Sequence, residues 1–180
     1  MSKKAIISSV GADQPGIVAA ECAILAKHGC NIEDSTMTRL GQEFASILIV
    51  TLPANVTVEA LAADFAEVET TFGLIVMVKA LDDHQAKAQP PSMPFLISVA
   101  GRDHTGITQR VAEVLSAHNV NITDLNAQVI PGEDGPVYMM ILEGDVPDSV
   151  GVGTLEEALK LLEKEQAVEI ALRPVEPIAL

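Results

Sequence analysis

The chain has 180 residues, 48% hydrophobic and 20% charged, which suffices to fill one ordinary domain or two small ones and excludes a disordered chain. Aromatic residues make up only 3%, with no Trp and one Tyr, so we expect no stacking platform for bases or sugars. Acidic residues outnumber basic ones by 25 to 11, and the formal charge of −14 argues against direct binding to DNA or RNA.

The amino-terminal sequence shows no sign of export or of membrane insertion. Residues 1–11 read MSKKAIISSVG, which is basic and then apolar for a stretch shorter than a signal peptide needs. Asp13 follows soon after, and the sequence nowhere reaches the ~18 uninterrupted apolar residues of a membrane helix. We therefore expect a cytoplasmic globular protein that does not enter a membrane.

The first half of the chain predicts six elements. An apolar run at 5–10 indicates a strand, and a turn with two glycines then leads into a helix whose apolar residues recur at helical spacing from Ile17 to His28. Two strand-like stretches around Gly41, a second helix and a last strand follow. Their predicted bounds are 33–40, 44–52, 58–72 and 74–78.

A polar stretch separates this half from the next. Residues 82–94 read DDHQAKAQPPSMP, with three prolines and no apolar period, which is typical of an extended, semi-rigid linker. The sequence therefore predicts one domain at 1–81, a linker at 82–94 and a second domain at 95–180.

The second half predicts the same six elements again. Strands are expected at 95–100, 122–130, 137–143 and 168–172, and the two helices carry their apolar residues over 107–118 and 155–162. Thr154, with Glu157 three residues later, predicts a capping box at the start of the last helix.

The two halves are related by a repeat with an offset of 90 residues. It matches glycines, acids and amides as well as core positions, for example Gly16 with Gly106, Asp13 with Asp103, and Asn31 with Asn121. Matching Gly, Asp and Asn at one offset is hard to explain by chance, so the chain contains two copies of one small domain.

The order of elements predicts the fold. With right-handed crossovers, β-α-β-β-α-β folds as a four-stranded antiparallel sheet with two helices on one face, the ferredoxin-like arrangement of the α+β class. The strand at 44–52, FASILIVTL, is apolar on both of its faces, whereas helices cover only one. We therefore expect the uncovered sheet face to form a homodimer, with either Ile49 or Leu48 pointing outward.

The strand-to-helix loops are the most informative candidate sites. GADQPGIV and GRDHTGIT superficially resemble a phosphate-binding loop, but Ile17 and Ile107 stand where that motif needs Lys. What remains is a helix N-terminus whose free N–H groups suit one small carboxylate. In each half an aspartate could bind the ammonium group of an amino acid, and an asparagine could bind its other polar atoms. The predicted ligand-binding residues are Asp13, Pro15, Gly16, Ile17, Val18 and Asn31, with Asp103, Gly106, Ile107 and Asn121 in the second copy.

A purely structural interpretation of the same residues stays open. Asp13 could cap the helix, Gly16 could serve the turn, and Asn31 could end the helix. Cys22 and Cys30 lack metal-ligand spacing and read as small buried hydrophobes, while His28 suits a helix C-terminus. No catalytic motif, metal site or cofactor site is recognisable, so we expect no enzyme.

At this point the motifs resemble a known family. Two βαββαβ repeats with D-x-P-G after the first strand resemble tandem ACT domains, which are small amino-acid-sensing modules. The stretches GADQPGIV, GCNIEDS and LGQEF are similar to the glycine cleavage system transcriptional repressor family, strongly over residues 11–44 and as architecture over the whole chain. GRDHTGIT and NITDL look more like the ACT domains of formyltetrahydrofolate deformylases and some phosphoserine phosphatases.

The resemblance implies a regulatory protein that senses a small amino acid, with glycine favoured. In that family the repressor acts through a DNA-binding transcription activator and does not touch DNA, which agrees with the charge of −14. Two alternatives remain at this point: a stand-alone ACT module that regulates a metabolic enzyme in trans, and a small enzyme on a ferredoxin-like scaffold.

Overall fold

The computed structural model describes residues 3–81, 90–133 and 135–175, and the chain divides into two units, Met1–Gln85 and Ala86–Leu180. The elements of the first unit are β1 (Lys3–Ala12), α1 (Ile17–Lys27), β2 (Asn31–Leu40), β3 (Glu43–Leu52), α2 (Val58–Phe72) and β4 (Ile75–Leu81). Those of the second are β5 (Ser92–Arg102), α3 (Ile107–Ala117), β6 (Asn121–Ile130), β7 (Val137–Pro147), α4 (Val152–Gln166) and β8 (Val168–Pro174).

Each unit contains one four-stranded antiparallel sheet. The strand orders are β2-β3-β1-β4 and β6-β7-β5-β8, so the first strand of each unit lies inside its sheet and pairs with both the third and the fourth. This confirms the predicted α+β class and the two ferredoxin-like βαββαβ units.

The helices cover one face of each sheet. In the first unit Ala5 and Ile7 of β1 face their register partners Val50 and Leu48 of β3, and all four side chains are buried. They form one core with apolar residues of both helices, among them Leu25, Leu61, Phe65 and Val68. A separate core of the same kind fills the second unit. The alternation of buried and exposed residues therefore follows the two-residue period of the strands.

Two of the helix starts have different origins. Thr57 caps α2, because its hydroxyl accepts the N–H of Ala60 at 3.2 Å. At α4 the predicted capping box is wrong: Gly151 is the N-cap residue, no side chain caps the helix, and Thr154 already lies in the first turn with its N–H donating to the Gly151 carbonyl at 2.9 Å. The extended backbone of Gly151 lets the helix begin before Thr154 is reached.

The outer face of the first sheet, away from the helices, is partly apolar. Val10, Ile47, Ile75 and Met77 lie on it and are each at least 45% exposed. Ile49 also lies there and is half-buried, whereas Leu48 belongs to the core. Of the two residues considered for the outward position, Ile49 is the one that faces outward.

The predicted linker at 82–94 falls mostly outside the described residues, because 82–89 are not among them. β5 begins at Ser92, and Pro91 already accepts a hydrogen bond from the N–H of Asp148 at 2.9 Å. The domain bounds 1–81 and 95–180 stay a prediction.

Candidate functional site

Both strand-to-helix loops end in a glycine with a left-handed backbone. Gly16 has φ 103° and Gly106 has φ 101°, and each is the N-cap residue of its helix without a side-chain cap. A Cβ at Gly106 would meet no atom within 4 Å, so the positive φ, and not crowding, requires glycine there. The first N–H groups of α1 and α3 therefore have no side-chain acceptor and remain available for an anion.

Asp13 does not cap α1, which removes one structural explanation for its presence. Its N–H donates to the Gln42 carbonyl at 2.8 Å, and its carboxylate lies 3.7 Å from Nη1 of Arg39. In the second unit the Asp103 N–H donates in the same way, to the Pro136 carbonyl at 3.0 Å. In both units the aspartate ties the loop to the neighbouring hairpin, and Arg39 adds a positive charge beside the first loop.

A second tie joins each loop to the end of the second helix of its unit. Nε2 of Gln14 donates to the Phe72 carbonyl at 2.9 Å, at the last residue of α2. In the second unit Nε2 of His104 lies 2.9 Å from the Gln166 carbonyl oxygen, at the last residue of α4. The repeat therefore places an amide and an imidazole in the same structural role.

The remaining predicted loop residues divide between core and surface. Ile17 and Ile107 are each 1% exposed, so their side chains belong to the core and only their backbone N–H groups can reach a ligand. Pro15 and Val18 are exposed beside the loop. The structure thus gathers the predicted loop residues around the N-terminus of each helix.

The structure does not bring Asn31 to the loop of its own unit. Asn31 starts β2 opposite Thr51, which pairs with Lys4, whereas the loop follows the other end of β1 near Gly11. Lys4 and Gly11 are seven residues apart along β1, about 23 Å at the rise of a strand. Helix α1 runs back along the sheet, so the residue that follows it lies at the far end.

Asn121 has the same position in the second unit. It starts β6 opposite Asp145, which pairs with Pro94 near the beginning of β5, while Gly101 and the loop lie at the other end. One ligand cannot contact the loop and the asparagine of the same unit, because a small amino acid is far shorter than that distance.

The surroundings of the two asparagines differ in charge. Beside Asn31, Nζ of Lys4 lies 2.5 Å from Oε2 of Glu33, and the Thr51 hydroxyl donates to the same carboxylate. Hydrogen bonds from Lys4 and Thr51 lower the pKa of Glu33 below its ordinary value. Asn121 instead lines a depression with other polar and proline residues: Pro90, Ser92, Asn119, Asp145 and Pro147.

The first unit contains a buried polar cluster that was not predicted from the sequence. Glu21 of α1 is 1% exposed, and its Oε1 accepts the Ser9 hydroxyl at 2.5 Å and the Ser46 hydroxyl at 3.3 Å. The available signal was a single glutamate inside the otherwise apolar stretch IVAAECAILA. The cluster ties α1 to β1 and β3.

The histidine at the end of α1 pairs with an acidic residue, and the two cysteines nearby are half-buried. Nε2 of His28 lies 2.8 Å from Oδ2 of Asp64, to which Lys27 also donates at 2.7 Å. Cys22 and Cys30 are free and half-buried, and burial raises the pKa of the Cys30 thiol.

The described residues form neither a metal-ion cluster nor a membrane-spanning helix. Within 3–81, 90–133 and 135–175, no three His, Cys, Asp or Glu side chains come together as a metal-ion site. None of the helices formed by these residues has the length and apolar character needed to cross a membrane.

Comparison with known proteins identifies the fold family. The ACT domain family matches residues 3–79 and 93–173, once in each unit. The chain is 28% identical to the glycine cleavage system transcriptional repressor of Escherichia coli, over 87% of this chain and 82% of that protein. It is also 30% identical to a phosphoserine phosphatase of Mycobacterium tuberculosis, over 93% of this chain but only 40% of the phosphatase.

A solved structure is similar over nearly the whole chain. The crystal structure of an unknown protein from Galdieria sulphuraria superposes with a TM-score of 0.84 at 24% identity, covering 98% of this chain and all of the other. At that identity the likeness concerns the fold. Because the family matches most of the chain and matches it twice, this protein belongs to the ACT domain family.

Proposed function

We propose that this protein senses a small amino acid, with glycine favoured, and regulates the glycine cleavage system through a protein partner. The observation that carries the proposal is the identity to the Escherichia coli repressor, which extends over 87% of this chain and therefore over both units. The net charge of −14 supports action through a DNA-binding activator protein, because so acidic a protein is repelled by DNA. In this proposal the protein is a cytoplasmic regulator and not an enzyme.

The two strand-to-helix loops support amino-acid binding. Each presents helix N–H groups that lack a side-chain cap, and the first has the guanidinium of Arg39 within 3.7 Å of Asp13. N–H groups at a helix N-terminus bind a carboxylate favourably. In the proposed site these groups hold the carboxylate, and Asp13 or Asp103 holds the ammonium group.

Each asparagine can share a ligand only with a loop that belongs to another unit, and we assign that loop to a second copy of the chain. Asn31 lies about 23 Å from the loop of its own unit, measured along β1. We therefore propose a homodimer in which the loop of one copy and an asparagine of the other approach the same amino acid. The exposed apolar side chains of the first sheet, among them Ile47 and Met77, supply a surface for such a dimer.

A second candidate function follows from the phosphatase comparison. That enzyme contains a region similar to 93% of this chain, within a protein of which the match covers 40%. A free-standing pair of ACT domains could accordingly regulate a metabolic enzyme in trans. Partner specificity separates the two candidates: the first requires that the protein change the DNA affinity of a transcription activator, and the second does not.

Calorimetric titration with glycine tests the ligand. We expect the parent to bind glycine, and Asn31→Ala to weaken binding by about 1–3 kcal/mol, roughly 5- to 150-fold in Kd, through loss of a buried hydrogen bond. Asn55→Ala is the matched control, because it removes the same amide from an exposed turn outside the proposed site. Equal affinity in all three proteins would return Asn31 to a structural role.

Gly16→Val is not a clean test of the loop. The φ of 103° is a conformation that a β-branched residue does not tolerate, so this variant would strain the loop itself. The asparagine variants are therefore the better test of ligand binding.

A DNA-binding assay tests the mode of action. We expect no retardation of duplex DNA by this protein alone at physiological salt, and a change in the DNA affinity of the activator when this protein is added. Direct, tight binding to DNA would contradict regulation through a partner.

A further inference from the structure

The two strand-to-helix loops are fastened to their second helices by chemically different side chains. In the first unit an amide donates to a carbonyl, from Gln14 to Phe72 at 2.9 Å. In the second unit His104 occupies the matching position, with Nε2 at 2.9 Å from the Gln166 oxygen. An amide keeps its two N–H bonds at every pH that a protein survives, whereas an imidazole gains and loses one.

Both ring nitrogens of His104 face a carbonyl oxygen. Besides the contact of Nε2 with Gln166, Nδ1 lies 3.1 Å from the oxygen of Thr105. Neutral imidazole has one N–H and one lone pair, so it can donate to only one of the two carbonyls and turns its lone pair toward the other. The imidazolium ion donates to both. The geometry therefore matches the protonated ring.

The charged groups around His104 favour the same state. Asp103, its neighbour on the loop, acts on the ring with a negative charge. At the end of α4, Glu163 is occupied as acceptor of the Ile170 N–H at 2.7 Å, and Glu165 pairs with Arg110 of α3 at 3.0 Å. The two acidic residues of α4 that are nearest to Gln166 in sequence are thus engaged elsewhere, and Arg110 is held by an acidic partner.

Among the described residues, the charged side chains of the strand ends next to the loop lie on the outer face of the sheet. Arg102 of β5 pairs with Val137, and Glu169 of β8 with Ala100, which places both charged side chains on the outer face. The carbonyls of Gln166 and then of Thr105 are the main causes that raise the pKa of His104 above its ordinary value, with a further contribution from Asp103.

We propose that His104 is a proton-operated latch that fastens the loop 103–106 to the end of α4 as imidazolium and loosens it when the proton leaves. The corresponding latch of the first unit, Gln14, does not respond to pH. The second loop is therefore sensitive to pH and the first is not. The proposed function assigns the N–H groups of the same loop to an amino-acid carboxylate, and a consequence that rests on that function is that binding at the second loop depends on pH.

The direction of the effect follows from the raised pKa. The latch is complete below the ordinary histidine value of about 6.5, and it loses one of its two hydrogen bonds as the pH rises through the raised pKa of His104. The pH range of the change therefore begins near 6.5 and extends upward.

Nuclear magnetic resonance on the whole chain, without any amino acid, tests the latch. The side-chain nitrogen shifts of His104 report when the ring loses its proton, and the heteronuclear NOE of the loop amides reports order on the picosecond-to-nanosecond scale. Between about pH 5.5 and about pH 8.5 we expect the NOE of Asp103–Gly106 to fall with the midpoint of the His104 titration. The NOE of Asp13, Gln14 and Gly16 should stay constant.

Two exchanged variants are the matched controls. His104→Gln should abolish the pH dependence of the second loop, and Gln14→His should create it in the first. A second loop that is equally ordered at both pH values, or that keeps its pH dependence in His104→Gln, overturns the proposal. Since no amino acid is present, this result is independent of whether glycine binds, which the calorimetry decides.

Discussion

The two units share a backbone and differ in what lies beneath their first helix. In the first unit Glu21 is buried between Ser9 and Ser46, whereas Val111 occupies the place of Glu21 in the second, facing Val99 and Met140. A buried carboxylate without a cation is costly unless hydrogen bonds compensate it, and two hydroxyls do so here. One fold thus accommodates a polar or an apolar layer at the same depth.

The helix surfaces differ in the opposite sense. Arg110 of α3 bridges to Glu113 at 2.7 Å and to Glu165 of α4 at 3.0 Å. The matching positions in the first unit are Ala20, Ala23 and Thr71, which line an open groove between α1 and α2. At these matched positions the first unit is polar beneath its first helix and lacks the charged bridge outside, whereas the second unit is apolar beneath and charged outside. We therefore expect the two units to differ in stability.

The largest expected effect comes from breaking the buried cluster. Glu21→Val copies the second unit at one position and leaves the hydroxyls of Ser9 and Ser46 without an acceptor, at a cost of roughly 1–3 kcal/mol each. Urea unfolding should show the first unit losing that stability.

The control for this prediction exchanges the whole layer. Adding Ser9→Val and Ser46→Met to Glu21→Val reproduces the apolar packing of the second unit and should recover much of the loss. If Glu21→Val alone is as stable as the parent, the cluster has no role in holding α1.

The next effect concerns the outer sheet faces. Ile49 is half-buried on the outer face of the first sheet, and Glu143 holds the corresponding position in the second, opposite Asp124 as Ile49 is opposite Asp34. Ile49→Glu should weaken the proposed dimer by about 2 kcal/mol or more if the residue lies centrally in the interface. Light scattering would then report a mass near the 19.0 kDa of one chain.

The matched substitution in the second unit is Ile141→Glu, which adds the same charge to the outer face beside Glu143. We expect it to leave the proposed dimer intact, because the exposed large apolar side chains on the outer face of β5, β7 and β8 are Met139 and Ile141, whereas β1, β3 and β4 of the first sheet expose four on their outer face. Equal dissociation by both variants would mean that the two faces take part alike.

The smallest effect is one of acid stability. Hydrogen bonds from Lys27 and then His28 lower the pKa of Asp64 below its ordinary value of 3.8, whereas Ala158 stands at the matching position of α4. The pairing stabilises the first unit above that value and is lost as the pH falls through the lowered pKa. Urea midpoints measured against pH should therefore fall more steeply below pH 3.8 in the parent than in Asp64→Asn, by a small amount since the group is exposed.

The fold was predictable because the repeat carries it. Glycines such as Gly16 and Gly106 occupy backbone conformations that only glycine adopts freely, so they recur wherever the turn recurs. The strands extend one to four residues beyond the apolar runs at several ends, as at β1, because ladder hydrogen bonds continue through polar residues. The apolar pattern of the side chains therefore does not indicate where the backbone pairing of a strand ends.

The site was predictable only in part. Asp13 and Gly16 lie close together because they are neighbours in sequence. Asn31 does not join them, because helix α1 lies between and carries the chain to the other end of the sheet. Likewise Gln14 and His104 bond to carbonyls at the end of another helix, and a backbone carbonyl leaves no trace in sequence. Sequence patterns therefore do not predict contacts between a side chain and a backbone group that is distant in sequence.

The separation of Gly16 and Asn31 along the sheet has a consequence for measurement. A ligand shared between two copies of the chain stabilises the dimer, and the dimer in turn completes the site for the ligand, so the two equilibria are linked by mass action. The apparent affinity for glycine should then rise with protein concentration, and dilution alone should weaken it. An affinity measured at one concentration would describe only that concentration.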